Sequence, residues 1–139
     1  MRGSPCSISN TTRTTNISSL LIGSHAIGKV EDAMTNMDPQ QFSRAINEAG
    51  VIILDVRTHE EFIEGHLAGA INIDINSVTF NNEITHLDTA AMYGVYCRSG
   101  RRSLVAIDTM QNLGFTKFSH LENGILDWQE NGLPLVVGE

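Results

Sequence analysis

Cys97 follows the apolar segment Gly94-Val95-Tyr96 and opens the run Arg98-Ser99-Gly100-Arg101-Arg102-Ser103, which leads into a helical pattern. A thiol so placed lies where a strand meets a helix. The backbone N–H groups of a glycine-containing turn and of the helix start behind it converge on one point, where they bind anions and favour thiolate over thiol. Three of the nine basic residues, Arg98, Arg101 and Arg102, fall in this turn, although the chain as a whole carries a formal charge of -7. Guanidinium groups beside a thiol favour its ionisation and attract anionic substrates. A Cys beside a solvated Arg-rich turn is ordinarily structural; the coincidence of strand end, glycine, helix start and charge points instead to a nucleophile in an anion cradle. On these residues alone the chemistry stays open among sulfur, phosphate and redox reactions.

The elements that must position this turn follow from local signals. Asp38-Pro39 reads as N-cap and first residue of a helix carrying Phe42, Ala45, Ile46 and Ala49, with Gly50 ending it. Val51 to Leu54 is a short apolar, β-branched run, as expected of a strand buried on both faces of a parallel sheet. Asp55-Val56-Arg57 closes it. Thr58 and Glu61 have capping-box spacing for a short helix through Phe62 and Ile63 that stops at Gly65. Asp55 and Arg57 look like a catalytic pair, but Arg57 and Glu61, four apart at a helix start, are expected to form an ion pair supporting the active loop from beneath. Ala70 to Ile73 reads as a second strand, and residues 74–91 as irregular, with some helix near Asp88 to Met92. Leu104, Ile107, Met110 and Leu113 mark a helix ended by Gly114; Lys117 to Leu121 a strand; and Ile125, Leu126, Trp128 and Gln129 a last helix stopped by Gly132 and Pro134. Strands alternating with helices mean α/β, with chemistry at the carboxyl ends of the strands.

Four stretches in order resemble a single-domain rhodanese, a sulfurtransferase module: Leu54 to Arg57 with Glu61; Gly65-His66-Leu67-Ala68-Gly69-Ala70-Ile71-Asn72; Cys97 to Ser103; and Leu121-Glu122-Asn123-Gly124-Ile125 with Trp128, Gly132 and Pro134. The family's usual Gly-Gly pair is Asn123-Gly124 here, a change that Asn accommodates through its tolerance of positive φ. The resemblance implies a central five-stranded parallel sheet flanked by helices on both faces. It also implies a Cys97 nucleophile that takes a sulfane sulfur from a small anionic donor such as thiosulfate and passes it, as a persulfide, to a thiol or protein acceptor. The backbone of Arg98 through Arg102 is then the cradle, with Ser99 and Gly100 in it and Ser103 closing it. Arg101 and Arg102 serve as anion contacts, Arg98 points inward less definitely, and Asp55, Arg57 and Glu61 support the loop. His66 reads as a turn residue and Trp128 as core. The nearest rival is a Cys-dependent phosphatase or arsenate reductase. Its wider Cys-x5-Arg loop would need Arg at position 103, where this chain has Ser. A second rival is a persulfide carrier, thiol sensor or docking module without turnover.

Composition bounds the rest. The 139 residues, 41% hydrophobic and 18% charged, suffice for one domain with a sizeable core and no disulfide framework. The acidic balance, without a basic stripe bearing aromatics, argues against nucleic acid. No apolar run reaches the roughly 18 to 20 residues that span a bilayer. His25, His59, His86 and His120 show no ligand spacing, so neither a metal nor a cofactor is expected. Residues 1–30, rich in Ser, Thr and Asn, read as a flexible tail with an expression leader at 1–4, and residues 31–139 as the domain. Asn10 and Asn16 open glycosylation sequons of the kind that arise by chance in such a tail. Cys6 resembles the acylated mature end of a bacterial lipoprotein, which would place the protein at the cell envelope; an incidental Cys leaves a cytoplasmic location equally open.

Overall fold

A computed structural model describes residues 34–139. The expectations for the tail, Cys6, His25, the sequons and the leader lie outside these residues. Five strands, β1 (Met34–Met37), β2 (Ile52–Asp55), β3 (Ile71–Asn72), β4 (Met92–Tyr96) and β5 (Lys117–Leu121), form one sheet in the order β1-β5-β4-β2-β3. Every pairing is parallel. Five helices accompany them: α1 (Pro39–Ile46), α2 (His59–Glu64), α3 (Phe80–Ile84), α4 (Arg101–Asn112) and α5 (Gly124–Glu130).

The local start signals act as expected. Asp38 accepts from the Gln41 N–H while the Gln41 side chain accepts from the Asp38 N–H, and Thr58 and Glu61 make the same reciprocal pair at α2. Each box satisfies amides that the first helical turn leaves without partners.

The sheet buries one apolar cluster on each face. Leu54, Tyr93, Val95 and Phe118 pack with Ala106, Ile107 and Met110 of α4 and with Phe80 and Ile84 of α3. On the other face Tyr96 and Leu121 pack with Phe42 of α1 and Ile125 and Trp128 of α5, Phe42 meeting the Trp128 ring edge-on. A sheet covered on both faces explains the uninterrupted apolar run of β2.

Three expectations are corrected, and one strand appears that no local signal announced. The helix expected near Asp88 to Met92 lies instead at Phe80–Ile84, and Met92 opens β4; Phe80 and Ile84, four apart, supply the buried anchors that residues 88–92 lack. α1 ends at Ile46 with Asn47 as its C-cap, before Ala49 and Gly50. The inner face of α4 is Ser103, Ala106, Ile107 and Met110, whereas Leu104 is 46% exposed and Leu113 is also at the surface. β1, an edge strand of Met and polar residues, carries no periodic signal and forms by pairing with β5.

Candidate active site

β2 connects outward to β3, while β4 connects to β5 on the opposite side, so the crevice between the carboxyl ends of β2 and β4 is the topological switch point of the sheet. Cys97 stands there, one residue beyond β4 and 1% exposed. Its Sγ accepts a hydrogen bond from the Gly100 N–H at 3.1 Å and lies 3.3 Å from Ser103 Oγ. Gly100 caps α4 without a side chain, so the first-turn amides are left for an anion in the loop.

The loop is interlocked with the segment that starts α5. Gly100 has φ 103°, and a Cβ there would collide with the Glu122 carbonyl; Gly124, at φ 74°, meets the Arg98 carbonyl in the same way. Ile125 and Leu126 donate their N–H groups to the carbonyls of Cys97 and Arg98 at 2.9 and 3.2 Å. These bonds tie the loop's carbonyls to α5, away from the sulfur that the Gly100 N–H faces. Asn123, expected to replace glycine at positive φ, has φ -105° and needs no such tolerance.

The ion pair expected between Arg57 and Glu61 is replaced by two others. Arg57 forks onto Asp55, Nε to Oδ1 at 3.0 Å and Nη2 to Oδ2 at 2.7 Å, and also donates to the Gly65 carbonyl at 2.7 Å. Burial disfavours the Arg57 charge, but Asp55 outweighs it and the net shift is upward. Glu61 receives both Nη groups of Arg102 at 2.8 and 3.0 Å, and this bidentate contact, helped by the Thr58 cap, holds its carboxyl down at about 2. Glu61, the helical partner in the α2 capping box, thereby also anchors the first turn of α4. Within the loop, Arg102 is engaged by Glu61, Arg101 is exposed, and Arg98 lines a cavity of about 170 Å³ with Arg57, Glu61, Ile125, Gln129 and Leu135. His66 takes a turn role: its Nδ1 bonds the Phe62 carbonyl and its ring stacks on Phe62.

Two polar residues that spacing did not single out, His120 and Asn36, extend inward from Ser103 behind the thiol. His120 Nε2 lies 2.6 Å from Ser103 Oγ, and His120 Nδ1 lies 2.7 Å from Asn36 Oδ1. Burial pushes the His120 imidazolium below its ordinary range, against a smaller opposing effect of the Gly100 backbone. The available signal is a histidine two residues after Phe118 on an otherwise apolar strand face, since a buried ring of that kind requires polar partners.

Known proteins share the fold that carries this loop. The rhodanese-like domain family matches residues 38–131. The chain belongs to this family. Thiosulfate sulfurtransferase 16 of Arabidopsis thaliana is 35% identical over 96 residues, which are 62% of this chain and 80% of that protein. Senescence-associated protein DIN1 of Raphanus sativus is 32% identical over 107 residues, 70% of this chain, and the match spans 58% of the radish protein's length. Among solved structures, a rhodanese-related protein of Thermoplasma volcanium superposes with a TM-score of 0.65 at 30% identity, covering 74% of this chain and 98% of its own. The fold is therefore the rhodanese-like α/β fold, and the family includes relatives named as sulfurtransferases. No helix among the described residues is long and apolar enough to cross a membrane.

Proposed function

We propose that this rhodanese-like domain is a sulfurtransferase in which Cys97 carries the sulfur as a persulfide. The Cys97 thiolate attacks the outer sulfur of a donor such as thiosulfate; a new S–S bond forms, the donor's S–S bond breaks and sulfite leaves with the electron pair. A nucleophilic acceptor, a thiol or cyanide, then takes the outer sulfur and returns the thiolate. The supporting observation is the Gly100 N–H pointing at Sγ from a helix start that lacks a capping side chain. Amides so placed stabilise the thiolate before attack and a persulfide anion after it. The phosphatase reading is disfavoured, because the Arg nearest the position such a loop needs, Arg102, is held by Glu61. With Arg102 held by Glu61, the exposed Arg98 and Arg101 are the loop guanidiniums left to receive an anionic donor, and we assign that role to Arg98.

Intact-mass measurement after thiosulfate treatment tests this. Wild-type protein gains the mass of one sulfur atom, Cys97→Ala does not, and cyanide releases the adduct as thiocyanate. A protein that takes up no sulfur from any donor, or that hydrolyses an aryl phosphate through Cys97, overturns the proposal. Sulfur uptake without turnover would make the domain a carrier.

A further inference from the structure

The polar chain behind the thiol has no role in simple nucleophilic attack, yet it is continuous. Cys97 Sγ, Ser103 Oγ, His120 Nε2, His120 Nδ1 and Asn36 Oδ1 follow one another at 3.3, 2.6 and 2.7 Å between successive residues. Cys97, Ser103 and His120 are buried, in a layer otherwise made of aliphatic and aromatic side chains. Three elements supply the chain: Ser103 from the first turn of α4, His120 from β5, and Asn36 from β1, where it is the register partner of His120.

The donors and acceptors set a direction. The Asn36 carbonyl oxygen only accepts, so Nδ1 carries the ring proton and Nε2 is an acceptor. Ser103 therefore donates to Nε2, and its oxygen is free to accept from the Cys97 thiol. We propose that Ser103 and His120, oriented by Asn36, form a buried relay that takes the Cys97 proton and holds the thiolate ready to attack. As the S–H bond breaks, an O–H bond forms at Ser103; the original Ser103 O–H breaks and an N–H forms at Nε2. The products are a thiolate, a hydroxyl now donating to it, and an imidazolium held between Ser103 Oγ and Asn36 Oδ1. No proton or electron leaves the protein. The thiolate supplies the counter-charge that a buried imidazolium otherwise lacks, which couples the two ionisations. Other ionisable groups near the thiol are Arg102 on α4, which interacts electrostatically with Cys97 and Asp55; Glu61 on α2, paired with Arg102; and Asp55 of β2 with Arg57 just beyond it. Ser103, His120 and Asn36 are positioning residues, acting through Cys97.

The relay rests on Cys97 being the reacting group, so its test reads the thiol directly and not sulfur turnover. Rates of Cys97 alkylation by iodoacetamide are measured against pH in the full chain. Gln in place of His120 keeps an acceptor for the Ser103 hydroxyl but cannot take a proton, so in His120→Gln the midpoint rises by about one pH unit and alkylation at neutral pH slows roughly tenfold. Asn36→Asp, at the surface-exposed edge strand, adds a carboxylate to the Nδ1 side and lowers the midpoint by a similar amount. Folded His120→Gln and Asn36→Asp proteins that both keep the wild-type midpoint overturn the relay. Should His120→Gln fail to fold, Asn36→Asp decides alone, an unchanged midpoint being the overturning result. A wild-type protein whose alkylation follows this pattern but which takes up no sulfur refutes the proposed function and leaves the relay standing.

Discussion

Three arginines stand in the loop, but their partners distinguish them. Arg102 is spent on Glu61, forty-one positions away in sequence, and Arg98 faces the cavity. Removing each therefore has a different consequence. On the proposed function, Arg98→Ala loses a charge-assisted contact to the donor of about 1.5 kcal/mol, or roughly tenfold in KM for thiosulfate, with little change in melting temperature. Arg102→Ala strands Glu61 and loosens the join between α2 and α4, so it lowers the melting temperature; steady-state kinetics and thermal denaturation on both variants separate the effects. Equal KM increases in the two, with no stability loss in Arg102→Ala, would contradict the assignment. The loop that holds Cys97 was legible in the chain, because its signals, a strand end, a glycine, a helix start and local charge, are all local. The pairings were not. Arg57 chooses Asp55 over Glu61 because β2 delivers the Asp55 carboxylate directly beneath it, and His120 finds Ser103 only once β4 and β5 are side by side.

Elements with their own start signals had their starts read with little error, as the Asp38 and Thr58 caps show, whereas those defined by their neighbours did not. β1 has no apolar alternation of its own, and its existence depends on the free edge of β5. Likewise Leu104 and Leu113 keep helical spacing with Ile107 and Met110, but the face that meets the sheet begins with the small Ser103 and Ala106. The contact between α1 and β4 has a comparable hidden requirement. A Cβ on Gly94, in the central strand, would lie 2.7 Å from Ile46 Cγ2 and 3.2 Å from Phe42 Cζ, so the absent side chain is what lets α1 close onto the sheet. Gly94→Val overpacks that contact and costs about 1–3 kcal/mol. A denaturant titration shows it as a lower midpoint with an unchanged slope. Gly100→Ala acts at the loop: the positive φ alone costs about 1–3 kcal/mol, and the collision with the Glu122 carbonyl adds to it. Because the Gly100 N–H also faces Sγ, that variant lowers sulfur uptake as well as stability, whereas Gly94→Val lowers stability alone.

For the whole molecule, the same two groups that order the site govern its response to acid. Glu61 is ionised in the folded protein down to about 2, while its ordinary value is 4.5. The stability it contributes is thus fully present above 4.5 and is lost as pH falls toward 2, because the unfolded chain takes up the proton first. His120 acts at higher pH with the same sign. While Cys97 is a thiol, burial holds the folded-state value of His120 below the ordinary 6.5, so in that state, as pH falls below 6.5, the unfolded chain binds a proton that the buried ring resists. Self-repulsion runs the other way only down to the isoelectric point near 5.1, as the formal charge of -7 is neutralised; below it the net charge turns positive and repulsion adds to the loss. The two site groups are specific and the repulsion is diffuse, so they can be told apart by substitution. Denaturant midpoints measured from pH 7 to pH 3 should fall in two stages, one beginning near the ordinary histidine value and one below the ordinary carboxylate value. Glu61→Gln starts lower at pH 7, because the Arg102 fork is weakened, and its second stage flattens while the first persists. A Glu61→Gln protein that declines in parallel with wild type across the whole range would show that the acid response belongs to other carboxylates, and that the Glu61–Arg102 join between α2 and the Cys97 loop contributes no pH-dependent stability.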